Sequence, residues 1–349
     1  MNSLIHGGDW AGYREEFGRD ALDFSANVSP LGLPEGVADA IVRALPTADR
    51  YPDPLCRELR RKLSGAERVP EENILCGNGA ADLIFRLVLA EKPKKALLPA
   101  PTFAEYASAL KTVDCECRRH FLREEEDFAV TERFLAEVDE SIDMVFLCQP
   151  NNPTGQLTDL ALVRKLLDRC KDHDAVLVVD ECFLDFLPDG ETYSAKAFLQ
   201  EKNLVILKAF TKLYGMAGIR LGYCLSNQKR LQRMQEVGQP WAVSSLAQAA
   251  GIAALDETEY VAKVRKLIVE QRSLLENGLR ALGLRVLDGQ ANYLLFQASE
   301  TLGGQLREKG VVLRSCGNYP GLDDSWYRTA VRTAPENEQL LKTLAEVLK

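Results

Sequence analysis

The sequence predicts an α/β protein: a mainly parallel sheet in a large domain, joined to a smaller α+β domain. Three observations carry that prediction. The 349 residues exceed what one ordinary core organises and point to about two domains. Short apolar, β-branched runs alternate with helical patterns through the middle of the chain. The last third changes to one long helical pattern followed by short strands.

Taken in order, the segment 23–45 carries Pro30, Gly32 and Pro34 and then one amphipathic helix, expected to join the smaller domain or wrap a partner. Runs at 96–99, 144–148, 175–179 and 204–207 contain few polar residues and read as strands buried on both faces. Between them, 160–171 places Leu160, Val163, Leu166 and Leu167 at helical spacing. Strand, helix, strand in succession makes a parallel sheet covered on both faces. Residues 259–282 read as a long helix, 292–296, 311–314 and 328–331 as short strands, and 335–348 as a closing helix. The expected division is a large domain at 46–258 and a small one built from 1–45 and 259–349.

Composition narrows the function. Hydrophobic content of 46% and charged content of 27% are ordinary for a globular protein. No run approaches the roughly 20 apolar residues that cross a bilayer, and residues 1–10 lack a signal-peptide core, so a cytoplasmic location is expected. A net charge of −8 with no basic stripe argues against a nucleic-acid partner. Nine cysteines show no metal-ligand or redox spacing and are expected as reduced thiols, Cys115 and Cys117 on one side of a strand. Only His6, His120 and His173 are present, which disfavours a histidine-rich metal site.

Ligands of open parallel sheets sit beyond the carboxyl ends of the strands. Here 144–148 runs into Gln149-Pro150-Asn151-Asn152-Pro153-Thr154-Gly155, and 175–179 ends in Asp180-Glu181. The run 204–207 leads to Thr211-Lys212, followed by Gly218, Arg220 and Gly222. Singly, these read as a turn, a helix cap and a surface loop. Together they bring an amide, a carboxylate, a lysine and an arginine to one crevice. That set suits pyridoxal 5'-phosphate. A lysine amine forms a Schiff base with the aldehyde, and a carboxylate keeps the pyridine nitrogen protonated. An arginine and backbone N–H groups hold the dianionic phosphate.

The ordered motifs Gly77-Asn78-Gly79-Ala80-Ala81, Pro101-Thr102-Phe103, Asn151-Asn152-Pro153-Thr154-Gly155, Asp180-Glu181 and Thr211-Lys212…Arg220-Leu221-Gly222-Tyr223 resemble the fold-type I aminotransferase superfamily over essentially the whole chain. The resemblance implies that Lys212 is the Schiff-base lysine and proton shuttle. Asp180 pairs with the pyridinium nitrogen, Asn152 bonds the cofactor's phenolic oxygen, and Phe103 lies against the ring. The backbone after Gly79, at Ala80 and Ala81, meets the phosphate, assisted by Thr211 and Arg220. It also implies a homodimer with a shared active site, in which Tyr51 reaches the neighbouring subunit's phosphate. Two positions depart from the pattern. Phe183 stands where many relatives place a tyrosine, and Ala80 where histidinol-phosphate aminotransferases often carry a hydroxyl.

Within the superfamily, His6-Gly7-Gly8-Asp9, Asp23-Phe24-Ser25-Ala26-Asn27, Pro30-Leu31-Gly32 and Leu313-Arg314-Ser315-Cys316…Asn318-Tyr319-Pro320-Gly321-Leu322, then Tyr327-Arg328, resemble the threonine-phosphate decarboxylases of cobalamin biosynthesis. Histidinol-phosphate aminotransferases come next. The first resemblance implies release of CO2 from L-threonine O-3-phosphate, giving (R)-1-amino-2-propanol O-2-phosphate. His6, Asn27, Arg314 and Arg328 are then the substrate-binding candidates, since this small phosphorylated amino acid presents two anions that a guanidinium can grip. Arg332 shares a strand face with Arg328 but lies roughly 13 Å beyond it, a weaker candidate. A non-catalytic regulatory module on the same fold is disfavoured by the presence of Lys212, Asp180 and Arg220.

Overall fold

The computed structural model describes residues 6–349; the first five residues of the expected 1–45 segment lie outside it. A seven-stranded sheet runs, edge to edge, through Ile74–Gly77, Gly222–Leu225, Leu204–Ala209, Val176–Asp180, Met144–Cys148, Lys95–Ala100 and Glu116–Phe121. The last five strands are mutually parallel; Gly222–Leu225 alone runs against them, and Ile74–Gly77, antiparallel to it, shares their direction at the sheet edge. The expected strands therefore form as a mixed, mostly parallel sheet.

Alternation along each central strand explains why the sheet is double-faced. Val145, Leu147, Leu177 and Val179 pack on one side with Leu63, Leu166 and Leu167. Met144, Phe146, Val176 and Val178 pack on the other with Leu83, Leu87, Tyr106 and Met234. Each such buried side chain contributes roughly 1.5–3 kcal/mol relative to exposure. The helix Leu160–Asp172 buries Val163, Leu166 and Leu167 as its spacing predicts, and Asp159 caps it by accepting from Ala161 N at 2.7 Å.

A four-stranded antiparallel sheet, in the order Arg314–Ser315, Trp326–Ala330, Tyr293–Gln297 and Arg285–Val286, forms beside the helices Thr258–Ala281 and Ala334–Val347. Here one expectation fails. The run 311–314 is not one strand: Val311–Val312 pairs in parallel with Leu22–Asp23, whereas Arg314–Ser315 joins the four-stranded sheet. Leu313, between them, drops into the core. Cys115 likewise precedes its strand rather than sharing it with Cys117. The N-terminal segment splits its packing, with Phe24 in the C-terminal core and Val37 in the core of the large sheet. Arg332 pairs with Glu336 at 2.6 Å in the cap of the closing helix, which occupies its charge. Among the described residues, no helix is long and apolar enough to cross a membrane.

Candidate active site

The carboxyl ends of the parallel strands open into a cavity of ≈110 Å³ lined by Ala80, Ala81, Phe103, Cys148, Asn152, Asp180, Cys182, Phe183, Ala209, Thr211, Lys212 and Arg220. Asp180 is the last residue of its strand and is buried. Its Oδ2 accepts from the Tyr106 hydroxyl at 2.7 Å and its Oδ1 from Cys182 N at 3.0 Å. Burial first, and the negative charge of Asp180 second, push the Tyr106 phenol well above its ordinary range, so it stays a donor. Tyr106 is itself fixed by stacking on Phe146, centroids 4.6 Å apart, and by an edge contact to Phe103 at 5.6 Å.

Lys212 reaches the cavity because the short helix Phe210–Leu213 follows directly on the strand Leu204–Ala209. The residue is half-buried, with its amine 5.5 Å from the centre of the Phe183 ring. Burial is the main force pushing its pKa below that of an ordinary lysine. Arg328 and Arg220 add repulsion, against the pull of Cys182 and Asp180.

The anion cradle is a strand–turn–helix. Ile74–Gly77 leads through Asn78 into the helix Gly79–Glu91, whose first N–H groups have no intrahelical acceptor. Gly79 sits at φ +79°, and a Cβ there would come within 2.6 Å of Arg220 Nη2. At Gly222 a Cβ would lie 2.7 Å from Ala80 N. Only glycine at both positions lets the Arg220 guanidinium and the strand end approach the helix start so closely.

Over the cavity stands Arg328, buried on the strand Trp326–Ala330. Its Nη1 donates to Asn152 Oδ1 and its Nη2 to the Ser25 carbonyl at 2.9 Å. With the Asn27 amide flipped, the orientation in which its oxygen meets donors, that oxygen accepts from Arg328 Nε at 3.1 Å and Nη1 at 3.3 Å. Its Cζ lies 5.4 Å from the Tyr293 ring. Arg314 faces Arg328 across the strand pair, donates to Asn318 Oδ1 at 2.8 Å and lies over the Tyr319 ring. His6 contacts Glu105 at 2.7 Å, its ring 5.9 Å from that of Phe103, and Gly8 N donates to Ser25 Oγ at 2.8 Å. The N-terminal segment thus rests on the cavity wall.

The structure brings Gly79, Ala80, Ala81, Phe103, Asn152, Asp180, Thr211, Lys212 and Arg220 to one place, with Arg328, Asn27, Arg314 and His6 around it. Tyr51 stands apart from this cavity, 82% exposed and stacked on Trp241 at 4.6 Å. Sequence reasoning missed Tyr106, Ser25 and Tyr319. The available signal for Tyr106 was its place three residues after Phe103, at the start of a helix that follows a strand end.

The model of aminotransferase class I and II matches residues 19–344. The chain is 39% identical to the threonine-phosphate decarboxylase of Salmonella typhimurium, covering 94% of this chain and 91% of that one. It is 28% identical to the histidinol-phosphate aminotransferase of Methanococcus aeolicus, over 94% and 90%. The crystal structure of the histidinol-phosphate aminotransferase from Clostridium acetobutylicum superposes with a TM-score of 0.88 at 27% identity, covering 93% and 98%. The chain therefore belongs to the aminotransferase class I and II family of pyridoxal-phosphate-dependent enzymes.

Proposed function

We propose that this enzyme releases CO2 from L-threonine O-3-phosphate to give (R)-1-amino-2-propanol O-2-phosphate, a step of cobalamin biosynthesis. The observation that carries the reading is the Arg328 cluster over the cavity, joined to a 39% likeness to a threonine-phosphate decarboxylase. The cavity residues fit the cofactor. Gly79 and Gly222 let Arg220 and a strand end close on a helix start whose free N–H groups suit a phosphate, Arg220 offers its counter-charge, and Asp180 offers a carboxylate at the floor. Bound there, pyridoxal phosphate supplies an aldehyde that captures amines and a protonated ring that accepts the electron pair released at the substrate's α-carbon.

The chain's own groups do the rest. Lys212, its pKa lowered by burial, presents more neutral amine at a given pH and can hold or deliver a proton at the α-carbon. Asp180, steadied by Tyr106, holds the positive charge of the ring nitrogen. Asn152, its own oxygen fixed by Arg328, would bond the phenolic oxygen through its amide nitrogen. Phe103 would cover the ring face, and Thr211 with the Ala80 and Ala81 N–H groups and Arg220 would hold the phosphate. Arg328, with Arg314, Asn27 and His6, would grip the substrate's two anions and so orient its α-carbon. Residues 46–258 form the cofactor-binding domain, with 1–45 and 259–349 as the small one. The working unit is a homodimer in which exposed Tyr51 serves the neighbour's phosphate.

A second reading, histidinol-phosphate aminotransferase, is favoured by the Methanococcus and Clostridium likenesses. Incubation with threonine phosphate, assaying CO2 and keto acid together, separates the two. Release of CO2 without keto acid is expected. Faster transamination of histidinol phosphate with 2-oxoglutarate would overturn the decarboxylase reading.

Tyr106→Phe tests the floor of the site. It removes one hydrogen bond to a charged acceptor, worth about 1.5–3 kcal/mol, so turnover should fall roughly tenfold or more and cofactor binding weaken. Asp180→Ala should cost more than Tyr106→Phe. Unchanged kinetics in Asp180→Ala would mean the ring nitrogen lies elsewhere.

A further inference from the structure

The helix Gly79–Glu91 that begins at the anion cradle carries a carboxylate, Asp82, in its first turn. Asp82 Oδ2 accepts from Asn78 N at 2.9 Å, securing the turn that presents Gly79, Ala80 and Ala81. A carboxylate suits a helix N-terminus. It also places a negative charge beside the N–H groups assigned to a dianion, and the two repel.

Arg86 answers that charge. One turn along the same helix face, its Nε donates to Asp82 Oδ1 at 2.9 Å. Arg86 is only 5% exposed, unlike an ordinary surface helix pair, so its charge is poorly screened by water. It is also wedged in place: a Cβ on Gly238 would come within 2.3 Å of its Nη1. Asp82 is its one ion-pair partner among the described residues.

We infer that Arg86 is a positioning residue for the cofactor's phosphate, neutralising Asp82 and holding its carboxylate on Asn78 so that the helix start is free for the dianion. The inference rests on the placement of that phosphate at Ala80 and Ala81. Removing the guanidinium leaves Asp82 uncompensated, and the damage is specific to a ligand carrying a phosphate.

The test titrates apo-protein with pyridoxal 5'-phosphate and with pyridoxal, which lacks the phosphate, while thermal melting monitors the fold. Arg86→Met should weaken pyridoxal phosphate about tenfold or more and pyridoxal less than about twofold, as expected for a lost charge contact. Adding Asp82→Asn to Arg86→Met should restore most of the preference for the phosphorylated form, which a packing role for Arg86 would not allow. Asp82→Asn alone, which leaves Arg86 without its counter-charge, should keep at least the wild-type preference for pyridoxal phosphate over pyridoxal, a ratio that a loss of stability does not change and that is independent of whether Arg86→Met folds. Equal weakening of both ligands, no rescue in the double variant, or a clear loss of that preference in Asp82→Asn would overturn the inference. Equal affinity of the wild type for both ligands would instead overturn the placement of the phosphate, and this role with it.

Discussion

Lys212→Ala is expected to abolish turnover while the fold survives. On the proposed reading the amine is both the partner of the cofactor's aldehyde and the nearest base, and among the described residues no second lysine lines the cavity. General acid–base catalysis alone is worth about 10²–10⁴-fold, and losing the covalent role compounds it. Stability should change little. A half-buried lysine whose pKa is already depressed by burial, and which faces two arginines, gives up no net-favourable charge when truncated. The measurements are CO2 release from threonine phosphate and the melting temperature. More than trace activity in a cleanly purified variant would refute the assignment, and a collapse in melting temperature would show the lysine to be structural.

Arg328→Ala has the second-largest expected effect. Losing a charge-assisted contact to a substrate anion costs about 1.5–3 kcal/mol, roughly tenfold to a hundredfold in rate. The structure adds a further loss, because the same guanidinium satisfies Asn152, Asn27 and the Ser25 carbonyl. Buried acceptors left without a donor cost about 1–3 kcal/mol, so Arg328→Ala should also melt earlier and shift the cofactor's absorption through Asn152. Arg328→Lys keeps the charge but not the planar fork and should recover little. Arg314→Ala should impair threonine phosphate turnover severely without that spectral shift. His6→Ala should be milder, since ordering the N-terminal segment already offsets part of its contact. Steady-state kinetics with threonine phosphate, read beside absorption spectra, check the series. An Arg328→Ala enzyme with wild-type KM and kcat would remove the arginine from the substrate site.

Much of the site was legible because buried parallel strands write themselves as apolar runs. The first polar residues after each run, Asn152, Asp180 and Thr211-Lys212, must then emerge at one edge of the sheet. Glycines at 79 and 222 were legible as part of the ordered motif, though the close approach of Arg220 that demands them was not. Tyr106 escaped because its bond to Asp180 depends on how the helix Glu105–Lys111 docks beneath the sheet, not on any local pattern. The split of 311–314 into two strands escaped for a similar reason: four apolar or amphipathic residues in a row read as one strand until Leu313 has a core to enter.

By itself, then, the sequence indicated the alternation of strands and helices and the lysine and carboxylate at the strand ends, which follow from local periodicity and strand order, while the glycine-rich helix start was legible only through the resemblance of its ordered motif. Only the tertiary structure decided which groups share a guanidinium. Arg328 meets Ser25 across 303 positions and Asn152 across 176. Contacts that distant leave no periodic trace, because they are made only when the C-terminal sheet closes over the strand ends and buried polar atoms must find partners.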